Sequence, residues 1–292
     1  MIGTNIIRLA MSHVMKKLTS LVIFVVASMC SHATTLLLDT QDTIDVLHSV
    51  SPPKNMTEEV LQLVFPKLKN VISSTQVLSH KRIENLLDSD KPFCTTNRLK
   101  TTQRLEKYLF SAATDIYSGL RLYRHGSTEN LTQPKNESKN QSLPLSTLVN
   151  SESKNILAVL ANHSYGDAID REIVKINKNQ LYIFETINPY EQFINLFLSG
   201  KVQFIITYPE VMQPFIESDE YHIIGLEIAG ESQFKFGYVM CNKHEENHGF
   251  ISELNTALFS LYDSGKFAQI ASKHLLPSQA EKLNAVLPSL VE

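Results

Sequence analysis

Residues 155–170 read NILAVLANHSYGDAID, and residues 198–210 read LSGKVQFIITYPE. Both stretches contain a short aliphatic and aromatic run that is typical of a buried strand. Around them the hydrophobic pattern predicts, in chain order, strand 156–160, helix 166–176, strand 181–185, helix 189–199 and strand 202–207. Strands that alternate with helices in this way form parallel or mixed sheets covered by helices. This part of the chain therefore predicts an α/β fold.

The same alternation continues towards both ends of the chain. The further predicted elements are strand 35–39, helix 56–70, strand 75–78, helix 81–87, strands 92–96, 118–123, 221–228 and 234–241, and a long helical region at 249–276. Residues 125–142 read HGSTENLTQPKNESKNQS and contain a single aliphatic side chain, Leu131. Such a segment cannot contribute to a core, so we expect a solvated linker between two α/β lobes.

The composition limits the functions that the chain can have. It contains 292 residues, with 27 Lys and Arg, 30 Asp and Glu, and 43% hydrophobic residues, which suits one or two domains with a core. The near balance of charge, without a block of Lys or Arg, argues against nucleic-acid binding. No internal apolar run approaches the roughly 20 residues needed to cross a bilayer. Three cysteines without a CxxC motif predict no zinc site, and we expect neither metal nor cofactor.

The N-terminal region has the features of a secretory signal peptide. Lysines at 16–17 precede an apolar stretch at 18–29, and the small residues Ser31 and Ala33 stand at the −3 and −1 positions of a cleavage site. Cleavage there would release a soluble protein into the periplasm, where a disulfide can persist. Lipidation of Cys30 is the alternative, although the residue before it is not small.

The stretch CTTNRLKTTQR at 94–104, followed by Phe-Ser at 110–111, resembles the Thr-x-x-Arg-x₅-Phe-Ser signature of family 3 extracellular solute-binding proteins. These proteins are the receptors of ABC transporters for polar amino acids. The two stretches quoted at the start resemble the strand, ligand-binding turn and helix, and the helix-glycine-strand unit, of the same family. The resemblance covers about 35–290, and the Ser-Tyr-Gly-x-x-Ile-Asp motif at 164–170 is similar to a proteobacterial branch of the family.

The resemblance implies a type II periplasmic-binding-protein fold. Two lobes, each a mixed five-stranded sheet with flanking helices, would be joined by crossover strands at 120–123 and 228–233. Ligand would bind in the cleft between the lobes and favour a closed state through a hinge motion. The implied domains are 1–33 (signal peptide with an upstream extension), 34–124 (lobe 1, first part), 125–142 (polar linker), 143–230 (lobe 2) and 231–292 (lobe 1, second part, with C-terminal helices).

The resemblance also implies a ligand site. Arg104 matches the arginine that grips the ligand's carboxylate, because a guanidinium offers two parallel hydrogen bonds. Ser164, Tyr165 and Gly166 match a turn whose N–H groups and hydroxyls meet the anionic end of the ligand. Asn97 falls at a strand end of lobe 1 where the family contacts ligand. The alternatives are that Arg104 is a surface residue, Ser164 a helix cap and Asn97 a turn residue.

Two departures from the family change the expected ligand. Tyr208, counted here among the ligand-binding residues, stands where the amino-acid binders carry a carboxylate for the ligand's ammonium, and an unpaired buried ammonium would be costly. The aromatic residue that stacks on ligand side chains is absent from 39–43, which read DTQDT. An anionic or neutral polar ligand therefore fits better than a standard α-amino acid, and the alternative is that no ligand is bound.

The implied fold also suggests a disulfide in lobe 1. The strand that contains Cys94 should run antiparallel beside the returning strand that ends at Cys241, which would bring the two sulfur atoms together. Two buried free thiols are the alternative.

The leading function is a periplasmic solute-binding protein, a monomer that passes a small solute to an inner-membrane permease or to a sensor protein. A degenerate member that has lost its ligand and acts through protein partners is the alternative. Catalysis is not expected, because His163, Ser164 and Asp167 lie within five residues of one another without the Gly-x-Ser-x-Gly turn of a hydrolase.

Overall fold

A computed structural model describes residues 34–37, 51–69, 71–74, 78, 80–126, 142–185, 189–218 and 220–287. The predicted signal peptide, the segment at 39–43 and most of the polar linker lie outside these residues. Where the chain is described, no helix is both long and apolar enough to cross a membrane.

Ten strands are found within these ranges. They are β1 (Thr34–Leu37), β2 (Val71–Ser74), β3 (Phe93–Arg98), β4 (Tyr108–Ser118), β5 (Arg121–His125), β6 (Leu157–Leu160), β7 (Leu181–Phe184), β8 (Phe204–Thr207), β9 (Ile223–Leu226) and β10 (Phe234–Asn242). The helices are α1 (Met56–Val64), α2 (His80–Leu87), α3 (Thr102–Lys107), α4 (Leu145–Asn150), α5 (Asp167–Ile173), α6 (Pro189–Leu198), α7 (Pro209–Ile216), α8 (Glu245–Asp263), α9 (Lys266–His274) and α10 (Pro277–Ala280).

The strands form two mixed sheets of the same topology. Sheet 1, in lobe 1, has the order β2-β1-β3-β10-β4, and sheet 2, in lobe 2, has the order β7-β6-β8-β5-β9. In each sheet three strands are parallel, and the fourth pairs antiparallel with strands on both sides. The predicted α/β fold with two five-stranded mixed sheets is therefore confirmed.

Strands β6 and β8 of sheet 2 are buried on both faces. Leu157 and Phe204 belong to a cluster on one face, while Ala158 and Ile205 pack with Phe197 in a cluster on the other. Successive side chains on a strand point to opposite faces, so helices cover these two strands on both sides. Sheet 1 follows the same rule, with its larger cluster built on α1, α8 and α9. In the edge strand β7 of sheet 2, by contrast, Tyr182 and Ile183 are exposed.

The chain passes between the sheets twice, through two short segments that lie side by side. The first is Gly119 and Leu120, and the second runs over 228–233. The Gly119 N–H donates to the Gln233 carbonyl at 2.7 Å, and the Leu120 N–H donates to the Glu231 carboxylate at 3.0 Å. A Cβ at Gly119 would lie 2.0 Å from the Ser232 carbonyl oxygen, so only glycine allows this approach.

A disulfide joins β3 to β10 in the centre of sheet 1. Cys94 and Cys241 are directly opposite each other in the antiparallel pair, both fully buried, and are separated by 147 residues in the chain. Their Cα atoms are 4.0 Å apart, closer than the roughly 4.4 to 6.8 Å that is usual for a disulfide. The bond closes a loop that contains the whole of lobe 2.

Some predicted element boundaries are wrong. The helix predicted at 56–70 ends at Val64, because Pro66 in the following turn lacks the N–H that a continuing helix needs. The next strand covers Val71–Ser74 rather than 75–78, of which 75–77 lie outside the described residues. The strand predicted at 118–123 is two strands, β4 and β5, which belong to different sheets and meet at Gly119. Helix α3 and most of β4 were not predicted.

Candidate functional site

The candidate site is built where chain segments leave the carboxyl ends of β3 and β6. Ligands of open α/β sheets bind at these ends, because the loops there can face one another without interrupting the sheet. The segment after β3 leads through Thr101 into α3, and the segment after β6 leads through Ser164 into α5. The two segments come from different lobes.

On lobe 1, Thr101 fixes the start of α3 and with it the position of Arg104. The Thr101 hydroxyl accepts a hydrogen bond from the Arg104 N–H at 3.3 Å, which caps the helix. The Arg104 side chain is half-buried, and its Nη1 donates to the Leu99 carbonyl at 3.2 Å. This hydrogen bond holds the guanidinium against the loop that precedes α3.

On lobe 2, the turn before α5 is organised by Asp170. The Ser164 hydroxyl donates to one oxygen of the Asp170 carboxylate at 2.5 Å, and the Tyr165 N–H donates to the other at 2.8 Å. The Gly166 N–H donates to the Ser164 hydroxyl oxygen at 3.2 Å. The N–H groups of Tyr165 and Gly166, which the resemblance assigns to a ligand, therefore have partners within the turn.

The two segments are joined directly across the lobes. The Thr102 N–H and hydroxyl both donate to the Asp167 carboxylate, at 3.2 and 2.8 Å to the same oxygen. Thr102 is the first residue of α3 and Asp167 is the first residue of α5. The described conformation thus has the lobes hydrogen-bonded to each other beside the candidate site.

Between these segments lies an open cleft of 730 Å³. Residues of both lobes line it, namely Glu84, Thr101, Thr102, Gln103, Arg104, Glu106, Asn162, His163, Ser164, Asp167, Asp170, Arg171 and Val174. The volume falls within the range of about 300 to 1,000 Å³ that is common for small-molecule sites. Two of the predicted site residues, Arg104 and Ser164, are brought together here from opposite lobes.

Tyr165 does not line this cleft. Its ring is 3% exposed and packs in the core of lobe 2, where its hydroxyl oxygen accepts a hydrogen bond from the Leu160 N–H at 2.9 Å. The tight turn at Gly166, with φ at 98°, directs neighbouring side chains to different sides. The neighbouring His163 faces the cleft instead, with its ring edge-on to the ring of Tyr165.

Tyr208 and Asn97 lie elsewhere in the described structure. Tyr208 stacks on Tyr117 of lobe 1, with ring centroids 4.7 Å apart, next to the crossover segments. Asn97 has a left-handed φ of 54°, and its side-chain oxygen lies against Gly237 of β10. Neither side chain lines the cleft that holds Arg104, so their assignment to a ligand stays a prediction.

An ion pair lies where the crossover meets the turn of lobe 2. Lys235 of β10 pairs with Glu231 at 2.9 Å, and both side chains are largely buried. The Lys235 ammonium packs against Gly166, where a Cβ would come within 2.7 Å of it. Burial raises the pKa of Glu231, while the charge of Lys235 opposes this rise. A side chain at position 166 would displace this lysine, in addition to straining a positive φ.

The electrostatics of the cleft centre on Arg104. Burial lowers the pKa of the Arg104 guanidinium, and the neighbouring Arg98 lowers it further, whereas Glu84 and Asp170 act in the opposite direction. An arginine stays charged in any case, so the shift indicates an unfavourable environment for positive charge. The hydrogen bond from Thr102 lowers the pKa of Asp167, and the nearby cations add to this effect.

Several residues of the site were missed by reasoning on the sequence. Thr102, Asp167 and Asp170 fall inside the quoted stretches, but their pairing depends on which segments meet in space. Arg98 stands at the carboxyl end of β3, and that position is a usable signal for a ligand-facing residue. Glu84 carries no such signal, because it belongs to an ordinary polar helix. Among the residues that the structure describes, no cluster of three or more His, Cys, Asp or Glu side chains is placed to hold a metal ion.

No protein-family profile matches the chain, and no curated protein is similar to it in sequence. Solved structures are similar in fold. A putative L-cystine ABC transporter protein from Listeria monocytogenes has a TM-score of 0.58 at 17% identity, over 83% of this chain and 95% of that one. Another similar chain comes from a study of glutathione import in Gram-positive bacteria, involving the cystine ABC importer of Streptococcus mutans. Its TM-score is 0.55 at 19% identity, over 83% of this chain and 94% of that one.

A third similar structure is an amino-acid ABC transporter substrate-binding protein from Streptococcus pneumoniae, solved with L-arginine bound. It has a TM-score of 0.52 at 14% identity, over 83% of this chain and 94% of that one. At such low identity the likeness concerns the fold alone. Together with the two matching sheet topologies, it shows that the chain has the type II periplasmic-binding-protein fold.

Proposed function

We propose that this chain is an exported solute-binding protein of the family 3 type, which captures a small polar solute in the cleft between its lobes. The observation that supports the proposal is the 730 Å³ cleft, which is lined by Arg104 from lobe 1 and by Ser164 from lobe 2, on segments that follow the carboxyl ends of two strands. The signature at 94–104 supports membership of the family, and the motif at 164–170 supports the proteobacterial branch.

Among the residues that line the cleft, Arg104 favours a solute with an anionic or neutral polar group. Asp167 and Asp170 already accept hydrogen bonds from Thr102 and from the turn at Ser164, so these two carboxylates are satisfied within the protein. Arg104 is half-buried beside a second arginine, which makes a negative group its natural partner.

Ser164, the serine that lines the cleft, is engaged in the turn before α5. The Ser164 hydroxyl donates to the Asp170 carboxylate, a bond that shapes the turn and does not pair the serine with an imidazole base. We infer a binding role without chemistry, in keeping with the similar solved structures, which are named as transporter proteins.

Binding can be tested by thermal unfolding with a panel of small acids, amides and amino acids, followed by calorimetric titration of any solute that stabilises the protein. A solute at 100 times its dissociation constant adds about 2.7 kcal/mol to stability. For an anionic solute, Arg104→Ala should weaken binding by tens of fold, because removing one partner of a desolvated pair costs about 2–5 kcal/mol. Arg82→Ala is the matched control, since Arg82 is exposed and lies outside the cleft. Equal affinity in both variants would contradict the role of Arg104.

A second candidate is the degenerate protein that works through protein contacts. The bonds between Thr102 and Asp167 favour it, because the protein's own side chains join the two lobes there. If this candidate is correct, no solute in the panel will raise the melting temperature. Small-angle scattering will then give the same radius of gyration with and without the panel.

The proposal also covers the export of the protein and the partners that receive its solute. The predicted signal peptide places the mature protein in the periplasm, where it would act as a monomer and deliver its solute to an inner-membrane permease or to a sensor. Intact-mass measurement on the exported protein tests the first step. A mass that begins just after Ala33 is expected, and a lipid-modified Cys30 would contradict it.

A further inference from the structure

The ion pair between Glu231 and Lys235 lies at the second crossover, with a carboxylate oxygen and Nζ 2.9 Å apart. The two side chains are 5% and 14% exposed, which makes this pair the most buried of the ion pairs in the described part of the chain. The cost of taking two charges out of water offsets much of their attraction, so such a pair adds little net stability by itself. Its place in the fold points to another role.

Glu231 ties this ion pair to both crossovers. It belongs to the second crossover, and its carboxylate accepts a hydrogen bond from the N–H of Leu120 in the first crossover at 3.0 Å. Lys235 is the second residue of β10 and pairs with β4 in sheet 1. The lysine ammonium is therefore carried by lobe 1 and held at the hinge.

The Lys235 ammonium contacts the start of α5 in lobe 2. A Cβ on Gly166, the residue before α5, would lie 2.7 Å from the lysine Nζ. Close by, a Cβ on Gly230 of the second crossover would lie 3.8 Å from the Cβ of Ala168. Lys235 is not among the residues that line the 730 Å³ cleft. The lysine thus reaches across to lobe 2 outside the solute site.

The charge of Lys235 acts on Asp167, the first residue of α5. The hydrogen bond from Thr102 lowers the pKa of Asp167, and the positive charges of Arg171 and Lys235 lower it further. Arg171 belongs to α5 and moves with Asp167, whereas Lys235 belongs to lobe 1. A hinge opening that separates α5 from β10 would therefore weaken the attraction between Lys235 and Asp167.

We propose that Lys235 is a positioning residue for closure of the lobes: held by Glu231, its ammonium attracts the start of α5 and favours the closed state without touching the solute. The inference rests on the proposed function, because the closed state is the one that holds the solute in the cleft. For a solute that binds only the closed state, the apparent affinity falls by the factor by which the closed population falls. Lys235 therefore sets the affinity from outside the cleft.

The test measures the distance between spin labels in the exported protein without added solute. The labels replace Leu105 on α3 and Val174 at the end of α5, which are 52% and 84% exposed. The double variant Glu231→Gln, Lys235→Met removes both charges together, so neither stays buried without its partner, and glutamine keeps an acceptor for the Leu120 N–H. We expect the ratio of closed to open molecules to fall by about two- to fivefold.

Two further variants show whether the shift comes from Lys235 acting on lobe 2. The matched control Glu59→Gln, Lys273→Met removes an ion pair between α1 and α9 of lobe 1 and should leave the label distances unchanged. In the Asp167→Asn background, removing the Glu231 and Lys235 charges should cause a smaller further shift, because the carboxylate that Lys235 attracts has lost its charge.

Unchanged label distances in the Glu231→Gln, Lys235→Met variant would overturn the proposal. If its melting temperature falls at the same time, the pair only stabilises lobe 1. Shifts that add in full in the Asp167→Asn background would also overturn it, because Lys235 would then not act on Asp167. Neither result bears on the proposed function, which fails only if no solute of the panel raises the melting temperature of the unmodified protein.

Discussion

The two lobes share one sheet topology but are held together differently. Lobe 2 is built from a continuous part of the chain between the two crossovers, and residues 121–228 contain no cysteine. Lobe 1 is built from both ends of the described chain, and the disulfide between Cys94 and Cys241 joins its two parts at the centre of sheet 1. Pairing strands so far apart in sequence costs more loop-closure entropy, which a covalent bond offsets. The covalent link is therefore found in the lobe that is discontinuous in sequence.

The largest expected effect comes from removing a buried phenylalanine ring in one lobe. Such variants test whether the two lobes unfold as separate units. Phe197→Ala in lobe 2 and Phe267→Ala in lobe 1 each remove a fully buried ring, at 0% and 1% exposure, and should each cost about 3–5 kcal/mol. Hydrogen exchange should show lost protection confined to sheet 2 in the first variant and to sheet 1 in the second. An equal loss of protection in both sheets from either variant would mean that the lobes unfold as one unit.

Removing the disulfide should give the next largest effect. The double variant Cys94→Ala, Cys241→Ala should lose about 2–5 kcal/mol of unfolding free energy, with the loss in lobe 1. Denaturant unfolding measures this loss of unfolding free energy. Adding reductant to the double variant is the control. Titration of thiols in denatured, unreduced protein checks the bond itself, because two free thiols from these positions would show that it does not form in solution.

A glycine at the crossover gives a smaller effect that concerns both lobes. Gly119→Ala places a Cβ 2.0 Å from the Ser232 carbonyl oxygen and should cost about 1–3 kcal/mol by forcing the crossover segments apart. Gly249→Ala is the matched control, because it lies within α8 with open space around it and should be neutral or slightly stabilising. Equal stability of the two variants in thermal unfolding would show that the crossovers have room to adjust.

The smallest expected effect concerns the contact between the lobes. The pKa of Asp167 is lowered, so its bonds to Thr102 favour the closed state above the ordinary carboxyl pKa of 3.8 and are lost as pH falls through the lowered value. The group is largely exposed, and screening limits the effect to at most about 1 kcal/mol. At neutral pH, Asp167→Asn should shift interlobe distances, measured between spin labels on the two lobes, towards the open state.

Asp88→Asn is the control for that measurement, because Asp88 accepts a hydrogen bond from Tyr108 within lobe 1. If Asp167→Asn and Asp88→Asn give the same distance distribution, the Asp167 bonds do not contribute to closure.

Much of the fold could be predicted from local patterns. The apolar runs at 156–160 and 202–207 predicted strands, and the alternation with helices predicted parallel or mixed sheets. The elements that were missed had weaker local signals. Strand β4, with the sequence YLFSAATDIYS, has polar and small residues at positions that become buried because helices such as α1 and α8 cover them.

The candidate site, like the fold, could be predicted from the sequence only in part. Arg104 and Ser164 could be chosen because they match the signature and the ligand-binding turn of the resembled family, and both line one cleft in the structure. Tyr165 was chosen for its hydroxyl, yet that hydroxyl is used in the core. Arg98 was passed over, because nothing in its neighbours along the chain indicates that its charge would be buried beside a second arginine.

The sequence by itself determined the alternation of strands and helices and the residue types at the strand ends, because hydrophobic periodicity and turn residues act over a few neighbours. Only the tertiary structure decided that Thr102 donates hydrogen bonds to Asp167. It also decided that Asp170 accepts a hydrogen bond from the N–H of Tyr165, and that Arg98 and Arg104 line the same cavity. These contacts depend on how two lobes, each folded around its own core, are set against each other, and interactions between surfaces distant in the chain leave no periodic signal in it.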